Sequence, residues 1–528
     1  MSAMSSMTFP GFLPDWSNLD ILHRGTVPPR AQFYSYGSEA AALSFDKTEG
    51  LYQSLNGPWK FHYDESPFEA PSWDNVDTSS WVDIEVPGNW QRQGYGRPHY
   101  TNINYPIPVS PPNVSYVNPT GSYWREFEIP EDWEGRQIHL RYEGVDSAFH
   151  VYVNGEEVGY SQGARNPSEF DITPYLVSGQ NNSIGTSVYQ WSDGSYLEDQ
   201  DQWWLSGIFR DVYLIPFAES SITDLQIVPH VADDFQSGSF SYNITTQGGS
   251  ADVSVKLLAP NGDDLETWEG PSSDNITMEV SGDDFHLWSA ETPTLYTVVL
   301  QAGEQYVSQK VGFHRIELSG SNFLVNGEPI IIYGVNRHEH NAELGRVVPY
   351  ENMRADMIKM KQSNINTIRA AHQPHHPDFF DLADELGFYV IAEADLECHG
   401  FNDINDTIYG ASQWTSNNTD WEHAYIDRAE QLVDRFRNHV SIIFWSLGNE
   451  CYIGQNHQAM YDWIHETDPT RLVHYEPDRN ATSTDMYSHM YNDPEDLLER
   501  LETENDKPHV YCEYAHAMYV YTPSRSLQ

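Results

Sequence analysis

Two glutamates stand where chemistry is easiest to imagine. Glu450 closes the apolar run IIFWSLGNE, and Glu513 lies inside HVYCEYAH. Other reactive groups end similar short runs. Asn336-Arg337-His338-Glu339-His340 end GVNRHEH, and Arg369 and His372 lie in INTIRAAH. Glu397-Cys398-His399 end FYVIAEADLECH, Asn449 precedes Glu450, His489 and Tyr491 end TDMYSHMY, and Tyr514 and His516 follow Glu513. No serine or cysteine sits in a nucleophile elbow, and no Gly-rich phosphate loop is present. Two opposed carboxylates are the minimum apparatus for glycoside hydrolysis, one attacking the anomeric carbon and the other protonating the leaving oxygen. The acid must keep its proton near neutral pH, which requires burial or a neighbouring charge. Spacing leaves open which glutamate plays which part. Glu397 and His399, two apart and so on one face of a strand, could also hold a metal with Glu450. The plainer alternative, two hydrogen-bonded rim residues, stays open at this point.

The elements that must position these groups follow from the period of the sequence. From residue 322 onward, apolar runs of strand type alternate with helical patterns such as YENMRADMIKMKQSN, PDFFDLADELG and HAYIDRAEQLVDRFRNH. Seven strands in βα alternation predict a (β/α)8 TIM barrel, in which reactive groups gather at the C-terminal ends of strands. Every group named above falls at such an end. No eighth strand is recognisable: after HVYCEYAHAM come only the residues YVYTPSRSLQ. Upstream, residues 50–218 hold short alternating runs such as WKFHYD, IHLRYEGV and AFHVYVNG with Asn154-Gly155 as a hairpin signal, predicting a jelly-roll β-sandwich. Residues 219–321 hold about seven further strands, fitting an immunoglobulin-like β-sandwich. Residues 1–49 are aperiodic and are expected to form an extended arm on the next domain, and residues 322–528 the incomplete barrel. The fold class is thus multidomain β plus α/β.

Bulk composition narrows the partners. The chain has 528 residues, enough for about three or four domains. With 28 basic and 78 acidic residues its net charge is −50, which repels nucleic acid and anionic membrane. A salty habitat and drift in an acidic proteome explain this charge equally well. Its 16 Trp and 33 Tyr fit a carbohydrate binder, since sugars stack C–H faces on rings, and fit equally the taste of β-sheets for aromatics. No secretory signal is recognisable at the N-terminus and no apolar run approaches a membrane span. Three cysteines, Cys398, Cys451 and Cys512, are too few for a disulfide scaffold, so thiols in a reducing, cytoplasmic setting are expected. Each adjoins a motif glutamate, so strand alternation turns Cys512 away from the site.

The strings VPGNWQ, HYTNINYP, NPTGSYWREF, WSDGSYLEDQDQWW with LSGIFRDVYL, GVNRHEH, FYVIAEADLECHG, IIFWSLGNE and CEYAHAM run in order over residues 50–518. They resemble the large β-galactosidases of glycoside hydrolase family 2. WSDGSYLEDQD is more similar to these than to the glucuronidases or mannosidases of the family. The resemblance implies a retaining hydrolase of terminal β-D-galactosides such as lactose, working by double displacement through a covalent galactosyl-enzyme. It assigns Glu513 as nucleophile and Glu450 as general acid/base, at the retaining separation of roughly 5–5.5 Å. It assigns Asn449 to the sugar 2-hydroxyl, and His338, His372, Tyr491 and His516 to galactose or the transition state. Glu397, His399 and Glu450 become ligands of Mg2+. Asn102 and Asp201, from the first β-domain, complete the galactose subsite, and Asp201 is also a ligand of Na+.

The match departs from the family after CEYAHAM, where Tyr519 replaces a Gly-rich helix start and the family's further β-domains do not follow. The expectation is a chain truncated by a premature stop or a wrong gene model, with exposed edges on strands one and seven. Two further readings accompany the hydrolase: a non-catalytic galactoside-binding or assembly fragment, and a family member acting on another β-glycoside. A homo-oligomer is possible for a full-length form.

Overall fold

The computed structural model describes residues 13–405 and 407–516; the first twelve residues of the arm and the stretch around Tyr519 lie outside them. Three bodies of secondary structure follow one another. The first is a sandwich of two antiparallel sheets. Its seven-stranded sheet centres on Ala148–Val153, Asn182–Tyr189, Thr120–Phe127 and Gly57–Asp64. The facing sheet holds Ser168–Asp171, Gln137–Tyr142, Val212–Phe217 and Gln53–Ser54. Between them lie Trp59, Phe61, Trp90, Tyr123, Leu140 and Phe149, all buried. The second sandwich pairs a three-stranded with a five-stranded antiparallel sheet around Phe240, Val255, Met278, Val298 and Phe313. Its strand Ile276–Ser281 shows the period of two in full: Ile276, Met278 and Val280 are buried, while Thr277, Glu279 and Ser281 are exposed.

The arm does more than lie on the surface. His23–Arg24 pairs with the first sandwich at Ser161 and Tyr160, and Ser35–Tyr36 pairs with the second at Val307 and Tyr306. Glu39–Ser44 forms a short helix, capped by Ser38 accepting from Ala41 N.

The third body is the parallel one. Strands β1 (Gly334–Arg337), β2 (Thr367–Ala370), β3 (Tyr389–Glu393), β4 (Ile442–Ser446) and β5 (Leu472–His474) form one parallel sheet in that order. Strands β6 (Tyr487–Met490) and β7 (His509–Glu513) form a separate parallel pair. Helices α1 (Tyr350–Gln362), α2 (Pro377–Leu386), α3 (Glu422–Phe436), α4 (Gln455–Thr467) and α5 (Pro494–Arg500) are the main intervening segments. Strands β3 and β4 are buried at every position, as expected when helices cover the outer face. Helix α2 illustrates how sequence sets the ends: Pro377 opens it, and Gly387 at φ 76° ends it in the left-handed conformation that only glycine adopts without cost. Its Phe380 stacks on Phe436 of α3 at 4.0 Å.

Side chains join the two sheets of this body. On one side, Val473 N donates to Asp485 Oδ2 (2.7 Å), and His474 and Ser488 share a hydrogen bond of 2.9 Å. On the other, Asn336 Nδ2 of β1 donates to Cys512 O of β7 at 3.0 Å. Near this second seam Ile331 and Tyr333 are largely exposed. No helix among the described residues is long and apolar enough to cross a membrane.

Buried carboxylates tie the layers together. Asp384 of α2 accepts from His439 Nδ1 (2.7 Å) and Ser441 N (2.8 Å), fixing the entry to β4, while its carbonyl accepts from Trp288 of the second sandwich (3.0 Å). Burial pushes the pKa of His439 down, but Asp384 more than restores it, so it ends above its ordinary value. A raised histidine pKa stabilises the fold below the unfolded value of about 6.5, and that stabilisation fades as pH climbs through the folded value. Asp384→Ala is expected to cost about 3–5 kcal/mol, seen as a lower Tm of the barrel transition. The Tm deficit should shrink as pH rises above the folded pKa of His439; a deficit independent of pH would refute the pair's role.

Candidate active site

The C-terminal ends of the strands open into one cavity of about 1030 Å³. Asn102, Asp201, His338, His372, His399, Asn449, Glu450, Tyr491, Glu513 and His516 all line it. Glu397 lies beneath this lining, fully buried. The structure therefore gathers the residues that the resemblance assigns to the site; Arg337, Glu339, His340 and His489, also named at strand ends, do not line the cavity.

At the floor stands Arg369, at the end of β2 and 2% exposed. Its Nε donates to Glu393 Oε2 (2.7 Å), Nη1 to Glu513 Oε1 (3.2 Å) and Nη2 to Asn449 Oδ1 (2.9 Å). These carboxylates hold its pKa above the ordinary arginine value despite burial, so it stays charged. The other oxygen of Glu513 accepts from the Tyr491 hydroxyl. Burial and this contact raise the Tyr491 pKa, so the phenol stays a neutral donor. Tyr491 reaches Glu513 from a backbone at φ 56°, the left-handed region that a bulky residue rarely adopts, and its N–H donates to Glu513 O at 2.9 Å.

His372 and His338 are set as neutral groups. His372 Nδ1–H donates to Glu393 Oε1 (2.9 Å), which leaves Nε2 facing Glu513 Oε1 at 3.7 Å. Burial, Arg369 and His338 push its pKa well down. His338 Nδ1–H donates to Ala371 O (3.1 Å), and burial lowers its pKa too. His516 is exposed, its ring parallel to Tyr491 at 6.5 Å. Tyr100 donates to Asp201 Oδ1 at 2.5 Å.

Glu450 and Glu397 form a second group with His399. His399 Nδ1 is 3.0 Å from Glu450 Oε2, and Asn449 Nδ2 donates to Glu397 Oε2 at 2.9 Å. Burial and the nearby Glu450 drive Glu397 well above the usual carboxylate range. Glu450, also partly buried, is nonetheless pulled below that range by His399, His372 and Arg369. Glu397 Oε1 is buried without a hydrogen-bond partner. One donor atom from each of Glu397, His399 and Glu450 lies within 4.8 Å of the others. Two carboxylates, an imidazole and an orphaned oxygen fit a cation, which would take the place of the proton that Glu397 otherwise keeps. The tight turn here needs Gly448: at φ 137°, a Cβ would lie 2.5 Å from Leu396 O.

The first sandwich supplies a wall of the site. Its segment Leu197–Asp199 pairs with the chain after β3: Glu397 N donates to Leu197 O (2.7 Å) and Asp199 N to Glu397 O (3.1 Å). Beneath, Arg165 bonds Glu198 (3.1 Å) and Asp395 (3.4 Å), while Arg428 of α3 bonds Glu198 (3.1 Å), all buried. This pairing carries the chain onward to Asp201 at the rim.

Two features go beyond the sequence reading. Glu393 appears in the sequence only as part of a strand, yet it holds Arg369, His372 and, at 2.8 Å, Ser446. Its one signal is a charge closing the apolar run FYVIA. The second is a correction. Cys398 and Cys451 are not thiols but a disulfide, with Cα atoms 4.6 Å apart. The loop after β3, where Cys398 precedes a single helical turn at His399–Phe401, and the loop after β4 bring the two cysteines to the same spot. A count of three could not reveal that these two loops abut, and the ground for expecting a reducing compartment falls with it. Cys512 is free and buried, with Sγ donating to His489 O.

Comparison with known proteins places these bodies. Residues 52–217 match the sugar binding domain of glycosyl hydrolases family 2, residues 220–314 a further domain of that family, and residues 316–522 its TIM barrel domain. A β-galactosidase of Kluyveromyces lactis is 40% identical over 94% of this chain and 53% of its own length. A β-galactosidase of Psychromonas ingrahamii is 39% identical over 96% of this chain and 52% of its own. The chain thus spans about half the length of the curated relatives it matches. Among solved structures, a β-glucuronidase of Ruminococcus gnavus superposes with a TM-score of 0.73 at 21% identity, covering 87% of this chain and 83% of its own. At that identity the likeness speaks for the fold alone.

The disulfide is directly countable. Protein denatured without reductant is expected to titrate one thiol per chain, from Cys512, and three after reduction; three thiols before reduction would refute the crosslink.

Proposed function

Since three consecutive domains of glycosyl hydrolases family 2 make up residues 52–522, the chain belongs to that family, and we propose that it hydrolyses terminal β-D-galactosides, lactose among them, with retention. The observation that carries this reading is the meeting of Glu450 and Glu513 in one cavity, each held by different partners. The naming of the 39–40% identical relatives as β-galactosidases supports galactose as the sugar.

In this proposal Glu513 attacks the anomeric carbon as Glu450 gives its proton to the leaving glycosidic oxygen, so the aglycone departs as an alcohol. Water then enters, Glu450 takes its proton, the oxygen bonds to the anomeric carbon, and Glu513 leaves as a free carboxylate. Arg369 and Tyr491 aim Glu513 and stabilise its charge between the two steps. Asn449, its amide oriented by Arg369 and Glu397, is assigned to the sugar 2-hydroxyl. His338 and His372 present Nε2 to the sugar, and Asn102, Asp201 and His516 close the subsite.

Glu397, His399 and Glu450 would hold Mg2+, whose charge would stand in for a proton on the buried Glu397. For Na+, Asp201 offers one carboxylate; no group of three His, Cys, Asp or Glu donors among the described residues includes it, and no step is assigned to this ion.

A 2-deoxy-2-fluoro-galactoside with a good leaving group should label the peptide containing Glu513, read by mass spectrometry. Labelling elsewhere would overturn the assignment, and binding of galactosides without turnover would favour a non-catalytic role. A faster rate on β-glucuronides or β-mannosides than on β-galactosides would move the sugar. Glu450→Gln should slow alkyl galactosides on the order of 10³-fold but spare activated aryl galactosides in the first step, as loss of a general acid does. Arg369→Lys, which cannot fork to three partners, should lower kcat by about 10²–10³-fold with little change in KM. Chelation followed by Mg2+ addition should restore activity in the unsubstituted protein, and Glu397→Gln should need far more Mg2+.

A further inference from the structure

Beside this cavity, whose lining includes His509, the described residues contain one more cluster of metal-type donors: His489 on β6, His509 opening β7, and Glu504 in the stretch before β7. One ligand atom from each lies within 4.8 Å of the others. His489 Nε2 and His509 Nδ1 face each other at 2.9 Å, with their rings nearly parallel.

The arrangement of protons makes this more than a chance pair. His509 Nε2 lies 2.8 Å from Glu504 O, and a carbonyl only accepts, so Nε2 carries the ring's proton and Nδ1 presents its lone pair. Anchoring the distal N–H on a backbone carbonyl is how proteins fix a metal-binding imidazole. The proton between the rings therefore sits on His489 Nε2. His489 Nδ1, the ring's other protonation position, is buried without a partner. Burial and His509 lower the His489 pKa to about 4, so the ring is neutral, with its single proton on Nε2. The Glu504 side chain is half-buried and held by Arg500 Nη1 at 3.1 Å, and Tyr487 stacks on His509 at 5.0 Å.

We propose that His489, His509 and Glu504 form a second cation site, selective for an imidazole-preferring transition ion of the zinc class, which staples β6 to β7. The ion takes the space between the rings. The proton on His489 Nε2 moves to Nδ1, and both facing lone pairs then bind the metal at roughly 2.0–2.1 Å, with a Glu504 oxygen and water completing the shell. A donor set rich in imidazole favours such an ion over Mg2+, for which Glu397 and Glu450 are better suited. The site matters for the barrel because its strands also carry the catalytic end: Tyr491 lies two residues beyond His489, and Glu513 four beyond His509.

The test uses the whole chain, stripped with chelator and titrated with Zn2+ by calorimetry and thermal unfolding, both in saturating Mg2+. Zn2+ should bind with a site that survives Glu397→Gln and should raise Tm. In His509→Leu and in His489→Gln that site should weaken on the order of 100-fold and the Tm increase should vanish. If the buried His489→Gln variant fails to fold, His509→Leu, at a half-buried position, decides alone. Zn2+ binding unchanged in His509→Leu would overturn the proposal, as would binding lost in Glu397→Gln but kept in His509→Leu.

Discussion

The guanidinium of Arg369 is the constraint on which the site turns. It is a full charge at the floor of the barrel, and burial of such a charge is costly unless every arm is paired. Three arms reach three different strand ends: Glu393 on β3, Asn449 after β4, and Glu513 on β7. The planar fork fixes the directions of all three partners at once, which a point charge could not do. Glu393 carries the same order one layer further, to His372 and Ser446. The orientation of the Glu513 carboxylate is thus set partly from below, by Arg369 and, behind it, by Glu393.

A second constraint sits at the junction of the first sandwich and the barrel. Leu197–Asp199 pairs with the backbone around Glu397, so this buried glutamate gets its position from another domain. The buried group of Arg165, Glu198, Arg428 and Asp395 keeps the two bodies in register. The expectation that Asn102 and Asp201 belong to the site thus has a plain structural basis: the sandwich that carries them is bolted to the strand beside the chemistry.

Much of this was legible in the sequence. The switch from a period of two to βα alternation near residue 322 marks the barrel, and strand ends collect reactive residues because parallel strands all point the same way. What stayed hidden depends on contacts between distant segments. Glu393 looks like a strand residue until Arg369 and His372 are seen on it. Cys398 and Cys451 look like two stray thiols until the loops that follow β3 and β4 are brought together. The arm shows no period because it contributes only two-residue strands to sheets built by others.

The seam beside β7 has a consequence of its own. Glu513 rides on a two-stranded sheet joined to β1 through the Asn336 side chain, whereas Glu450 follows a five-stranded sheet whose end is crosslinked. The two halves of the site therefore differ in how cheaply they open. Fluctuations that expose backbone amides to exchange should concentrate in β6 and β7, while β3 and β4 exchange only with the barrel as a whole. Glu450 and Glu513 then sit on opposite sides of that seam, with Arg369 reaching across it.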